Sequence, residues 1–431
     1  MSDAPAFDLD LSLQVGKYDI RKQLGKGATG TVYLAVDTFS GKEVALKVIE
    51  PEVFRDPEFG SVHRSQFLNE ASLAGKLRHP HIVGIYDAVV QEESGHIAME
   101  LVTGGDLSQF ATPDKLLPVT DVVQMIFKCC GALEYAFNEG VVHRDIKPAN
   151  IMVAGGTDVK IADFGAALLR KTQAAQTASI GSPYYMSPEQ MQGEPLTHHS
   201  DMFCLGVALY ELLTGHKPFT ADTLEGLVQK VLNEEPALPS TLRAGLPRDM
   251  DHVVLRALAK KPEQRYATWG QFAVQLSNIA ELLLPADVIS DSRKYIALKS
   301  VDMLSNLSDA ELWELALAGR WFKAPGKQPV IRENEPGQTF FFLADGQVKV
   351  TKQGRLLNMI DKKEFFGEMA YIRGGELTRH ATVEAMTQLM LAEFDPEALA
   401  QMSVGAQLQL TRTLVRNLVD RLELANSRIG R

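Results

Sequence analysis

The stretch His143-Arg144-Asp145-Ile146-Lys147-Pro148-Ala149-Asn150 decides the reading of this chain, together with Asp163-Phe164-Gly165 downstream. The first lies between a helix-like run and the strand-like Ile151-Met152-Val153, and the second follows the strand-like Val159-Lys160-Ile161-Ala162. An amide and a carboxylate on neighbouring loops, here Asn150 and Asp163, suit Mg²⁺, which takes oxygen ligands and keeps substrate phosphates in its shell. A further carboxylate, Asp145, can orient an attacking hydroxyl and accept its proton. Any one of these Asp residues, taken singly, reads better as a cap or turn residue. Their order along the chain argues otherwise, provided matching partners lie upstream.

They do. Gly25-Lys26-Gly27-Ala28-Thr29-Gly30-Thr31-Val32 is a glycine-rich loop whose backbone N–H groups can approach phosphate oxygens. G-x-G-x-x-G alone also fits a dinucleotide fold, but that reading needs a helix to follow. Here Thr31-Val32-Tyr33-Leu34-Ala35-Val36 continues as a strand, so the loop joins two strands. Next, Val44-Ala45-Leu46-Lys47-Val48 sets a lysine in an apolar strand, where burial is costly unless the charge is paired. Glu70 shares the inner face of a predicted helix over 66–76 with Phe67, Ala71 and Ala74, and so can pair with Lys47. Either residue by itself would read as a solvated surface charge.

With these four signals in order, residues 18–276 resemble a eukaryotic-type serine/threonine protein kinase domain, in a bacterial-looking phrasing. The resemblance implies ATP and Mg²⁺ as cofactors and protein Ser/Thr hydroxyls as substrates. By it, Gly25 to Val32 cover the phosphates of ATP. Lys47, backed by Glu70, contacts the α- and β-phosphates. Asp145 is the base, Asn150 and Asp163 hold Mg²⁺, and Lys147 marks Ser/Thr specificity. Ala45 with Met99-Glu100-Leu101-Val102 corresponds to the adenine pocket and hinge. Ser187-Pro188-Glu189 replaces the usual Ala-Pro-Glu, with Glu189 expected to pair with Arg265 and Asp201 to lie beneath the catalytic loop. The segment between Asp163 and Glu189 carries Thr172, Thr177 and Ser179 as phosphorylation candidates, with Arg144 placed to receive a phosphate; a plain polar loop is the alternative. No catalytic position is missing, which disfavours a catalytically silent scaffold.

The rest of the chain has a different texture. Phe365-Phe366-Gly367-Glu368-Met369-Ala370-Tyr371-Ile372 precedes Thr378-Arg379-His380-Ala381-Thr382-Val383. An arginine can meet an exocyclic phosphate, a glutamate can accept from a ribose hydroxyl, and N–H groups at a short helix add an anion site. An ordinary Glu–Arg pair at a turn explains the residues equally well. The surroundings, with turn signals at Pro336-Gly337 and Asp345-Gly346, resemble a cyclic nucleotide-binding domain. That likeness implies Glu368 at the ribose, Arg379 at the cyclic phosphate, and Gly367 and Ala370 shaping the cradle. Three departures stand out: the Glu-to-Arg interval is long, Lys363 stands where glycine is common, and His380 follows the arginine without matching the habit for cyclic AMP or cyclic GMP. Leu414, Leu418 and Leu422, with Val415 and Val419, form an apolar stripe whose first reading is packing within its own domain; a nucleotide lid or homodimer seam is the alternative.

The expectation is an α+β architecture: a bilobal kinase fold followed by a β-roll with flanking helices. It divides as a tail over 1–17, a kinase domain over 18–280, a linker over 281–300 and a cyclic nucleotide-binding-like domain over 301–431. Three cysteines give neither a disulfide framework nor metal spacing, and fit a reducing compartment. A net charge of −10 disfavours non-specific nucleic-acid binding. No apolar run is long enough for a membrane span, the first residues lack a signal-peptide pattern, and the end leaves no room for a helix-turn-helix, so a cytoplasmic enzyme is expected. The function expected is an ATP-dependent serine/threonine kinase regulated by a cyclic nucleotide. The alternative keeps the kinase and makes the C-terminal domain a ligand-free docking or dimerisation module.

Overall fold

The computed structural model describes residues 14–26, 30–49, 75–90, 95–164, 168–169, 183–373 and 378–429. The chain forms two compact units, Met1–Leu276 and Ser277–Arg431.

The first unit opens with a six-stranded sheet in which Tyr18–Lys26, Gly30–Asp37, Glu43–Ile49 and Gly95–Met99 are consecutive antiparallel neighbours. Alternation buries Tyr18, Ile20, Ala35, Val44, Leu46 and Ala98 on one face as a single cluster. The register aligns Gly25 with Val32, Val32 with Lys47, and Lys47 with Ile97, so the glycine loop and Lys47 share one end of the sheet. Gly30 is required there: a Cβ would stand 2.3 Å from the Val48 carbonyl oxygen. After Val119 the unit becomes helical around Val119–Asn138 and His198–Thr214, whose inner faces include the fully buried Cys129, Cys130 and Cys204. Ser187 and Thr197 cap the helices Pro188–Gln192 and His198–Thr214 through reciprocal capping boxes, fixing where the chain re-enters the core after the catalytic segment.

In the second unit, residues 281–300, expected as a linker, contain the helix Asp291–Lys299. Tyr295 of that helix stacks on Trp313 of Asp309–Ala318 at 4.5 Å and donates to Asp309 Oδ1 at 2.6 Å. Two four-stranded antiparallel sheets follow, and Ile331, Phe341, Leu343, Val348, Val383 and Leu391 are among the residues of their shared core. Asp345-Gly346 is not a hairpin turn. Phe340–Asp345 pairs with Glu364–Phe366 and Leu389–Phe394, whereas Gln347–Lys352 pairs with Arg355–Asp361 and Thr382–Ala385. Gly346, at φ 98°, is the corner where the chain crosses between sheets. The helical tail is also broken: Pro396–Leu399 ends in a turn before Val404–Ile429.

Candidate functional sites

The catalytic-loop residues converge by direct bonds. Lys147 Nζ donates to Asp145 Oδ2 at 2.7 Å, and Asn150 Nδ2 donates to the Asp145 carbonyl at 2.7 Å and to Oδ2 at 3.1 Å. Asn150 therefore turns its amide nitrogen toward Asp145 and leaves its oxygen free of that pairing. Ala162 N–H donates to Asn150 O at 2.8 Å, tying this loop to the one carrying Asp163. Lys47 Nζ bonds Asp163 Oδ1 at 3.0 Å across the two lobes, and the Lys47 ammonium holds the Asp163 carboxyl below the usual carboxylate range. Asp163 remains 46% exposed. One exposed carboxylate and one amide oxygen of the buried Asn150 are the oxygen types that suit a cation completed by substrate phosphates.

Two residues in left-handed backbone support this arrangement: Arg144 at φ 73° and Asp163 at φ 63°. The buried Asp201 accepts from the backbone N–H groups of both His143 and Arg144 at 2.7 Å. Burial pushes the Asp201 carboxyl up, against the pull of His143 and these two N–H groups. His143 accepts at Nδ1 from Asp145 N–H at 3.3 Å, so its proton sits on Nε2, 3.1 Å from the Ala162 carbonyl. Behind the loop, Arg265 Nη1 lies 2.7 Å from Glu189 Oε1 while the guanidinium donates to the carbonyls of Ala259, His199 and Lys260. The expected Glu189–Arg265 contact is therefore present as a fully buried ion pair.

At the expected hinge, the Glu100 carboxylate is engaged by Lys160 at 3.0 Å and by Gly84 N–H at 3.3 Å, and the Glu100 N–H donates to the Gly84 carbonyl at 2.8 Å. Ala45 is buried opposite Met99. Gln190 was missed from the sequence: its Nε2 donates to the Arg144 carbonyl at 2.7 Å. Gly27, Ala28, Thr29, Glu70, Thr172, Thr177 and Ser179 lie outside the described residues.

In the second unit, Gly367 at φ 80° precedes the short helix Glu368–Arg373. The Arg379 side chain is buried beside it, Nη2 donating to Thr339 Oγ1 at 3.0 Å and Nη1 reaching the Gly367 carbonyl at 3.4 Å. Pro336-Gly337 is not a turn: Pro336 bridges Thr378, and a Cβ on Gly337 would stand 2.7 Å from Arg379 Nε, so the glycine leaves room for that guanidinium. Among the described residues no carboxylate lies within ion-pair distance of Arg379, and burial pushes its pKa down. Glu368 is also buried, but it is engaged: Arg421, from Val404–Ile429, bonds Glu368 Oε1 at 3.0 Å, Glu364 Oε2 at 3.1 Å and the Phe365 carbonyl at 2.7 Å. Burial pushes the Glu368 carboxyl up, and Arg421 only partly offsets this. His380 is exposed, with Arg373 Nη1 at 3.3 Å from its Nε2. Lys363 takes the left-handed conformation, φ 73°, that a glycine would hold more cheaply. The apolar stripe divides: Leu414 is buried, whereas Val415, Val419 and Leu422 are exposed, so the expected packing within the domain holds for only part of it.

A bilobal unit with this constellation, followed by a β-roll, defines the class. Residues 18–276 match the protein kinase domain family, and the chain belongs to it. Residues 322–404 match the cyclic nucleotide-binding domain family. The chain is similar to the serine/threonine-protein kinase PknB of Mycobacterium leprae, 35% identical over 323 residues that cover 71% of this chain and 51% of the relative. It is similar to PknB of Mycobacterium tuberculosis, 37% identical over 271 residues (61% and 43%), and to a probable serine/threonine-protein kinase of Clostridium acetobutylicum, 34% over 265 residues (61% and 40%). The chain thus spans about half, or less, of the length of these relatives. Among the described residues no helix is long and apolar enough to cross a membrane.

Proposed function

We propose that this chain is an ATP- and Mg²⁺-dependent serine/threonine protein kinase whose C-terminal unit senses a cyclic nucleotide. The observation that carries the kinase reading is the bonded cluster of Lys147, Asp145 and Asn150 with the Lys47–Asp163 pair opposite. Asp145 accepts the proton of a Ser or Thr hydroxyl as its oxygen attacks the γ-phosphorus and ADP departs. Lys147, bonded to Asp145 Oδ2, adds positive charge where the transferred phosphoryl group carries negative charge. Lys47 holds the α- and β-phosphates. Asn150 and Asp163 would hold Mg²⁺, which supplies charge neutralisation at the phosphate oxygens. Arg144 would receive a phosphate on Thr172, Thr177 or Ser179 and so order the segment between Asp163 and Glu189.

The sensor reading rests on Arg379, a buried cation whose hydrogen bonds among the described residues go to a threonine hydroxyl and a backbone carbonyl, which supports it as a partner for a phosphate. The Arg421–Glu368 pair favours the second reading, a ligand-free docking or dimerisation module, because the carboxylate expected at a ribose already has a partner. Phosphate transfer from ATP to a general protein substrate, with and without cyclic AMP and cyclic GMP, tests both halves. Transfer abolished by Asp145→Ala supports the kinase, and its persistence in that variant refutes the assignment of the base. Calorimetric heat for either nucleotide that Arg379→Ala removes supports the sensor; no heat for either leaves the module reading.

A further inference from the structure

Arg144 is the strained joint of the catalytic loop, at φ 73°, and two different elements grip its backbone. Its N–H donates to Asp201 Oδ1 at 2.7 Å, and its carbonyl accepts from Gln190 Nε2 at 2.7 Å. The second bond acts on the peptide unit that joins Arg144 to Asp145, because the Arg144 carbonyl and the Asp145 N–H lie in one plane. That N–H reaches His143 Nδ1 at 3.3 Å, so Gln190 makes the shorter of the two contacts. The direction in which the Asp145 side chain leaves the loop follows from that plane.

Gln190 uses both ends of its amide. Oε1 accepts from Ser187 N–H at 3.0 Å and from the Cys204 thiol at 3.3 Å. A backbone N–H can only donate and a carbonyl only accept, so Ser187 and Arg144 fix which end is which. Burial pushes the Cys204 thiol well above its ordinary range, which keeps it a protonated donor. Cys204 lies one turn after Asp201 on the helix His198–Thr214. That helix therefore grips Arg144 twice, directly at the N–H and through Gln190 at the carbonyl. Gln190 also completes the capping box of Pro188–Gln192. Glutamate serves a capping box as well as glutamine does, whereas the bond to Arg144 requires the amide nitrogen. We propose that Gln190 is a positioning residue for phosphoryl transfer: its Nε2 fixes the Arg144–Asp145 peptide and, through it, the Asp145 carboxylate. The proposal rests on Asp145 being the base.

Two variants of the full chain test it. Gln190→Glu keeps the size and the cap but turns an acceptor toward the Arg144 carbonyl, and Gln190→Met has no polar end. At neutral pH both are expected to lower kcat on the order of ten- to a hundredfold, with the KM for ATP unchanged. The two part in acid, because a protonated carboxyl can donate to the Arg144 carbonyl as the amide does. The charges acting on Cys204 beside this position are Asp201, Asp145 and Glu189 against Arg265, a mostly acidic surround that raises the pKa of the new carboxyl. Relative to the unmodified protein at each pH, kcat of Gln190→Glu therefore rises as pH falls, while that of Gln190→Met stays flat. A purely structural role gives both variants ratios that do not change with pH. Hydrogen exchange supplies a readout without activity: at neutral pH the Asp145 amide exchanges faster in both variants, and the His143 amide, held by Asp201, does not. Full kcat in both variants, ratios flat across pH for both, or unchanged exchange at Asp145 overturns the proposal. Asp145→Ala separates it from the assignment of the base: transfer lost there but intact in the Gln190 variants removes the positioning role and leaves the base standing.

Discussion

Asp201 holds the catalytic loop in a conformation the backbone resists, and replacing it with asparagine separates holding from fold. Its two carboxylate oxygens accept from consecutive backbone N–H groups, His143 and Arg144, each at 2.7 Å. Hydrogen bonds to a charged acceptor contribute about 1.5–3 kcal/mol each, so the pair supplies about 3–6 kcal/mol. Against this stands Arg144 at φ 73°, a left-handed non-glycine residue costing about 1–2 kcal/mol. In Asp201→Asn one oxygen still accepts, but the amide nitrogen meets the other N–H donor to donor, leaving a buried group unpaired at a cost of about 1–3 kcal/mol. The hold then falls to the size of the strain, and Asp145, the residue after Arg144, loses its fixed position. A misplacement near 1 Å costs on the order of 10²-fold in rate. The expected result is kcat reduced about that much, with the KM for ATP changed little because Lys47 is untouched. Backbone hydrogen exchange gives a readout independent of activity: the His143 and Arg144 amides become less protected. Unchanged protection of both amides, or wild-type kcat in the variant, refutes the reasoning.

Two further outcomes follow from buried charges. Arg265→Met leaves Glu189 buried without a counter-charge and costs about 3–5 kcal/mol in urea unfolding of the chain. The double variant with Glu189→Gln costs less than the sum of the singles, and additivity within about 0.5 kcal/mol would sink the pairing. Glu368 gives a pH signature. Its folded carboxyl lies above the ordinary 4.5. Between those two values the folded state binds more protons than the unfolded one, so stability falls as pH rises through that window and is flat above it. Glu368→Gln removes that slope. Parallel melting-temperature profiles for the two proteins across the acid range would contradict the burial argument.

What was legible in the sequence shared one physical property: short range. His143 to Asn150 works through bonds spanning two to five residues, so the motif carries its own geometry. The Glu189–Arg265 contact is long-range, yet each partner sits in a short recognisable phrase. Contacts made by residues with no local demand on them stayed hidden. Arg421 reads as one more solvated charge on a helix, and only the fold brings it 3.0 Å from Glu368. Thr339, just ahead of the strand Phe340–Asp345, is unremarkable until Arg379 arrives from 40 positions away. Asp345-Gly346 carries the composition of a hairpin turn, but strand pairing, set by which faces are apolar, makes it a corner between sheets.

The second unit's two charged residues are poised differently, and this bears on how its two readings relate. Among the described residues Arg379 is hydrogen-bonded to neutral oxygens alone, with Glu393 acting on it only at longer range, so an incoming phosphate would add a charge-assisted bond without breaking an ion pair among them. Glu368 is bonded by Arg421 through Oε1 alone. A ribose hydroxyl is a neutral donor, and the bond it needs can form at Oε2 while Arg421 stays on Oε1. One carboxylate would then serve the ligand and the C-terminal helix together, and the energy of each contact would depend on the other through the position of the cradle.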